Sequence, residues 1–205
     1  MTYREHIEWC DIWVEAAGDS TLPRVLLIGD SITRSYYSHA KSHLADHYAC
    51  ARIASSKCVG DPMFLKELAL VLDAYTFSII HFNNGLHGWH YDEEVYATGL
   101  SEAFDFLSGH IGTGRLIWGS TTPVWQKDTP GALDPKTKRV CARNEIAAGL
   151  ASDRGIQNND LFAMVIDHPE IFSPDGVHFL KEGQEILGKC VSQTILAPST
   201  PHTLA

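Results

Sequence analysis

Short apolar runs alternate along this chain with longer segments of helical period. A parallel sheet covered by helices on both faces accommodates that alternation, because strands buried on both sides need no polar face. Five runs read as strands: Arg24–Ile28, Tyr48–Ala54, Phe77–Phe82, Arg115–Gly119 and Gly155–Asn159. The segments between them carry helix signals. Asp61-Pro62 reads as an N-cap with proline at the first helical position, ahead of Phe64, Leu65, Leu68, Val71 and Leu72, and Asp134-Pro135 repeats the device before Val140, Ala147, Leu150 and Ala151. Further helices are expected over Tyr91–Gly109 and from Phe179 to about Leu196, and Gly155 stands where a helix end favours a residue without Cβ. Arg4–Ala17, with Ile7, Trp9 and Trp13, reads as an amphipathic lead-in helix within residues 1–20. The expectation is one α/β domain over residues 1–196, a three-layer α/β/α sandwich on a five-stranded parallel sheet, followed by a mobile tail over residues 197–205.

Composition removes several functional classes. At 205 residues and 44% hydrophobic the chain can bury a substantial core. Its formal charge of −9, with the acids dispersed, is the opposite of a nucleic-acid footprint. No stretch is long enough to span a bilayer, and the polar start lacks the apolar run of a secretory signal, so the expectation is a cytoplasmic protein with no membrane partner. Cys10, Cys50, Cys58, Cys141 and Cys190 are odd in number and scattered without a CxxC pair, which indicates idle thiols. His87 and His90 are close in sequence, but no third ligand accompanies them at a zinc spacing, so no metal is expected.

Sheets of this kind present ligands at the carboxyl ends of their strands. Gly29-Asp30-Ser31 leaves the first strand, Ser55–Gly60 the second, Asn83-Asn84-Gly85-Leu86-His87 the third and Ser120-Thr-Thr-Pro123 the fourth, while Asp175-Gly-Val-His178 precedes the last helix. Ser31, His178 and Asp175 are the groups of a nucleophilic hydrolase. A hydroxyl needs a positioned imidazole to take its proton, and a carboxylate three residues before that imidazole can fold back to hold its tautomer.

Gly29-Asp30-Ser31-Ile32-Thr33 at one end and Asp175-x-x-His178 at the other resemble the first and last blocks of the GDSL/SGNH hydrolases, serine esterases of flavodoxin-like fold. The resemblance covers nearly the whole chain in the right order, and the Gly-x-Ser-x-Gly elbow of the other large α/β esterase family is absent. It implies an oxyanion hole built from the Ser31 backbone N–H, the Gly60 backbone N–H and an asparagine side chain after the third strand. That block usually reads Gly-x-Asn-Asp; here His81-Phe-Asn-Asn-Gly85 departs from it, and Asn83 is favoured over Asn84. A turn role for both asparagines is the alternative.

Asn84, Trp89 and Thr122 are candidate substrate contacts, with His90, Tyr91, Thr121 and Trp125 nearby in sequence. What the resemblance implies is hydrolysis of small acyl esters without a cofactor, with removal of acetyl groups from a carbohydrate preferred and a glycan or small-molecule ester as the partner. A lysophospholipase or thioesterase, or a non-catalytic carbohydrate-binding protein on the same fold, are the alternatives.

Overall fold

The computed structural model describes residues 3–19, 21–129 and 131–198. Six strands, β1 (Cys10–Val14), β2 (Arg24–Gly29), β3 (Ala49–Ser55), β4 (Ile79–Phe82), β5 (Arg115–Gly119) and β6 (Gln157–Asn159), form one sheet in the order β1-β3-β2-β4-β5-β6. β2 to β6 are parallel, and β1 runs antiparallel to β3 at the edge. The helices are α1 (Ser31–Leu44), α2 (Phe64–Leu72), α3 (Glu93–Ile111), α4 (Lys136–Asp153), the short α5 (Leu161–Val165) and α6 (Lys181–Leu196).

Successive strand residues feed opposite cores, as the pleat requires. Leu26 and Ile28 of β2, with Ile80, Phe82 and Trp118, pack under α2 and α3. Val25, Leu27 and Ile117 pack under α1, α5 and α6 on the other face. Along that second face α1 and α6 lie side by side. Gly188 of α6 is so close to α1 that a Cβ there would stand 2.6 Å from His39 Cβ and 2.8 Å from the Ala40 backbone nitrogen. Tight seams of this kind need a residue with no side chain at the crossing.

Two expectations about the ends of elements are corrected. The lead-in helix expected over Arg4–Ala17 is instead an extended segment continuing into β1. Ile7, Trp9 and Trp13 do not sustain a helical stripe, whereas Ile12, Trp13 and Val14 suit a strand, and β3 offers an edge whose N–H and C=O groups would otherwise be unpaired. Arg52 of β3 clamps the pairing with bonds of 2.8 and 3.0 Å to the Asp11 carboxylate. The sheet therefore has five parallel strands and one antiparallel edge strand. The second correction concerns Asp61-Pro62, which form a turn ahead of α2. Asp61 Oδ1 accepts from the Met63 N–H at 2.8 Å, and the helix starts at Phe64. Asp134 similarly accepts from the Lys136 N–H ahead of α4. Gly155, at φ +66°, closes the turn after α4 as expected. The tail expected to be mobile lies, from residue 199 on, outside the described residues. Among the described residues no helix is long and apolar enough to cross a membrane.

Candidate active site

The chain steps from β2 outward to β3 and then back past β2 to β4, so the strand order reverses between β2 and β4. Loops from neighbouring strands diverge there and leave a crevice. Ser31 sits in that crevice as the first residue of α1. Asp30 caps the helix by accepting the Ile32 N–H at 2.9 Å. Gly29 is dictated by contact, since a Cβ there would lie 2.1 Å from Thr33 Oγ1. The Ser31 N–H is among the first amides of a helix, which have no partner within it.

His178 Nε2 is 2.9 Å from Ser31 Oγ, and His178 Nδ1 is 2.7 Å from Asp175 Oδ2. A carboxylate only accepts, so Nδ1–H donates to Asp175 and Nε2 is left to accept the Ser31 hydroxyl. Asp175 Oδ1 also accepts the Val177 and His178 backbone N–H groups, both at 2.9 Å. Burial pushes the Asp175 carboxyl up, and these bonds from His178 and the backbone more than reverse it, so its pKa lies below the usual carboxylate value. The pair is mounted on a hairpin. Phe172 bridges Phe179, the Ser173 N–H donates to His178 O at 2.7 Å, and the Trp125 N–H donates to Gly176 O at 2.8 Å. Gly176 has φ +74°, and a Cβ there would lie 2.0 Å from Trp125 O.

The two asparagines after β4 point opposite ways. Asn83 Nδ2 donates to Gly119 O at 2.7 Å and Thr121 Oγ1 at 3.3 Å, which engages both its protons toward β5 and away from Ser31. Asn84 reaches in the other direction, over the end of β2. Its Oδ1 accepts the Val59 N–H at 3.1 Å and its Nδ2 donates to Lys57 O at 2.8 Å, with a second amide proton left over. Its carbonyl is pinned by the Tyr96 hydroxyl at 2.6 Å. Gly60 lies next to Val59 on the loop that Asn84 grips, packed against Val95 and Tyr91 of the α3 entry, where a Cβ would come within 3.0 and 3.3 Å.

Trp89 is half-buried, and α4 supplies cations to its ring: the guanidinium of Arg143 stacks on it at 4.9 Å, with Arg139 and Lys136 each at 5.6 Å. Thr122 is buried and its hydroxyl has no hydrogen-bond partner among the described residues. His87 bonds Glu5 at 3.0 Å and His90 stacks on Tyr3, and among the described residues no group of three or more His, Cys, Asp or Glu gathers as a metal cage.

Two parts of the site are absent from the sequence reading. Arg143 of α4 is fully buried and donates to Gly85 O and His87 O at 2.9 Å, Gly88 O at 3.2 Å and Tyr91 O at 3.4 Å, holding the loop that follows Asn84. Its signal was available: an arginine at an inward position in step with Val140 and Ala147. The other part is residues 3–9, which strap the loops after β3 and β4. Arg4 pairs with Asp61, Glu5 with His87 and Glu8 with Lys57, while Trp9 exchanges bonds with Ser56.

No family model matches the chain, and no curated protein matches it in sequence. Solved structures match over most of its length. A GDSL-like lipase from Bacteroides thetaiotaomicron is 17% identical over 84% of this chain and 87% of that one, with a TM-score of 0.66. An acetyl xylan esterase is 17% identical over 84% and 100%, at 0.68, and a carbohydrate acetylesterase from Sinorhizobium meliloti is 14% identical over 84% and 98%, at 0.64. The chain thus has the α/β fold of these GDSL/SGNH hydrolases.

Proposed function

We propose that this protein is a serine esterase of the GDSL/SGNH type that hydrolyses small acyl esters, and that acetyl groups on a carbohydrate are its substrate class. The observation that carries the reading is the hydrogen-bonded series Ser31, His178, Asp175 at the sheet's switch point. Ser31 Oγ attacks the acyl carbonyl while His178 Nε2 takes its proton. Asp175 stabilises the resulting imidazolium without itself taking the proton. The carbonyl oxygen, now an anion, is received by the Ser31 N–H, the Gly60 N–H and, in place of the expected Asn83, the free amide proton of Asn84. Collapse of the intermediate breaks the bond to the alcohol, which leaves with the proton from His178. Water, deprotonated by His178, then releases the acid and restores Ser31.

The acetyl-carbohydrate assignment is supported by structural neighbours that include an acetyl xylan esterase and a carbohydrate acetylesterase. The test is hydrolysis of p-nitrophenyl acetate against the decanoate, and of acetylated xylo-oligosaccharides, by wild type and Ser31→Ala. The expected result is acetyl release that falls to background in the variant, with Ser31 labelled by a fluorophosphonate. Failure of every short-chain ester together with an unlabelled Ser31 refutes the reading.

A further inference from the structure

Arg34 stands out among the arginines. Every other arginine of the chain donates to a carboxylate or a backbone carbonyl. Arg34 has neither within reach among the described residues; its guanidinium lies 4.8 Å from the centroid of the Trp9 indole. The contact leaves its N–H fork unsatisfied by any anion, in a chain of net charge −9 where carboxylates are plentiful. The acids nearest in the strap are engaged, Glu5 with His87 and Glu8 with Lys57 and Arg4.

Its position is equally particular. Arg34 is three residues after Ser31 on α1, so the two side chains share a helix face with Cβ atoms about 5–6 Å apart. Helical side chains lean toward the N-terminus of their helix, which tilts Arg34 toward the crevice. Trp9 is fixed at the same edge of the sheet by its backbone bonds to Ser56, 2.9 Å from N–H to hydroxyl and 3.0 Å from the Ser56 N–H to Trp9 O. The edge of His87 meets its ring at 6.3 Å. The indole thereby holds a flexible cation beside the nucleophile. A planar fork with open donors is suited to bidentate recognition of carboxylate or phosphate oxygens.

We propose that Arg34, seated on Trp9, recognises an anionic group on the ester substrate, a carboxylate or a phosphate about one side-chain length from the scissile carbonyl. This deepens the esterase reading and rests on it for the identity of the reacting bond. The substrate class narrows accordingly from acetylated carbohydrates to those that also carry an acidic group.

The test compares 4-acetoxybenzoate and 4-acetoxyphenyl phosphate with the neutral methyl 4-acetoxybenzoate, in wild type, Arg34→Met, Arg34→Lys and Trp9→Leu. The readout is the anionic-to-neutral ratio of kcat/KM. It is expected to favour the anion by about tenfold or more in wild type at low salt and to lose that advantage in Arg34→Met. Arg34→Lys retains part of it, Trp9→Leu reduces it, and added salt reduces it in wild type. The larger of the two anionic ratios identifies the preferred group. A ratio near one in wild type, or one that survives Arg34→Met, overturns the proposal. Binding of the same compounds to Ser31→Ala, with and without Arg34→Met, separates this from the esterase reading. Arg34-dependent binding of the anion by a protein that turns over no ester keeps the anion site and discards the esterase. Neutral-ester turnover without Arg34-dependent preference does the reverse.

Discussion

Replacing Arg143 by methionine is expected to destabilise the protein by about 3–5 kcal/mol and to disable the site, although Arg143 touches neither Ser31 nor His178. The guanidinium is fully buried and serves four carbonyls of the loop between β4 and α3. Tyr91 O keeps a second donor in Arg139, at 2.5 Å, and Gly88 O keeps the Tyr91 N–H, at 3.0 Å, so Gly85 O and His87 O are the two carbonyls that lose a charge-assisted bond, each worth about 1.5–3 kcal/mol. Against that gross loss of about 3–6 kcal/mol stands relief of the desolvation of a buried cation, several kcal/mol, visible in the downward push that burial exerts on the Arg143 pKa. Stacking on Trp89 and Tyr96, at 4.9 and 4.8 Å, is lost as well. With a urea m-value of about 2 kcal/mol/M, the unfolding midpoint should drop by about 2 M. Arg143→Lys keeps the charge but cannot span the carbonyls, and should fall between. Urea titration followed by far-UV circular dichroism, with esterase turnover on the still-folded protein, is the assay. A midpoint within about 0.5 M of wild type and undiminished turnover would refute the reasoning, because the loop would then hold its shape unaided.

Asn84→Ala should lower kcat by about 10²–10³ with little change in KM, as loss of an oxyanion donor does, whereas Asn83→Ala should act through stability, costing about 1–3 kcal/mol in unfolding free energy. Steady-state kinetics and denaturant titration on both variants check the pair, and the opposite pattern would restore Asn83 as the donor. His81 is buried on β4 with Nε2 accepting from Asn159 Nδ2 at 3.1 Å, and burial pushes its pKa down to about 4. Its pKa is lower folded than unfolded, so the unfolded chain binds the extra proton. The resulting stability is complete above about pH 6.5 and falls by about 3 kcal/mol as pH drops toward 4; it should be missing from the pH–stability curve of His81→Gln. Gly176→Ala adds a methyl against Trp125 O at φ +74° and should cost about 1–3 kcal/mol while cutting kcat at least about tenfold, measured beside an unchanged far-UV spectrum.

The parallel strands were legible because burial on both faces leaves an unbroken apolar run, and local sequence suffices to recognise one. Ser31 and the pair Asp175 and His178, which the structure brings within hydrogen-bond distance of one another, stood out as motifs because their mounts are short turns. β1 was not legible, because what decides its conformation is the open edge of β3, some forty residues away. Asn83 and Asn84 differ for a similar reason. They are neighbours in sequence, and the partners that separate their tasks, Gly119 on one side and Lys57 with Val59 on the other, lie on strand ends brought together only by the sheet. Arg143 was readable as an anomaly on an inward helix face. What it binds was not, since its acceptors are backbone carbonyls that carry no mark in the sequence.

The seam between α1 and α6 sets the order in which this protein fails. Ser31 begins α1, and His178 lies just before α6 begins at Lys181, so their separation is set by how the two helices meet, with a close approach at Gly188, about two turns below the cleft. In the crevice itself the hydrogen bond between Ser31 and His178 spans the two, at 2.9 Å. Heat that loosens the seam is therefore expected to part Ser31 from His178 while the sheet is still whole. Loss of turnover on heating is then expected to precede loss of the far-UV signal, by a margin that depends on Gly188, a residue of the seam and not of the crevice.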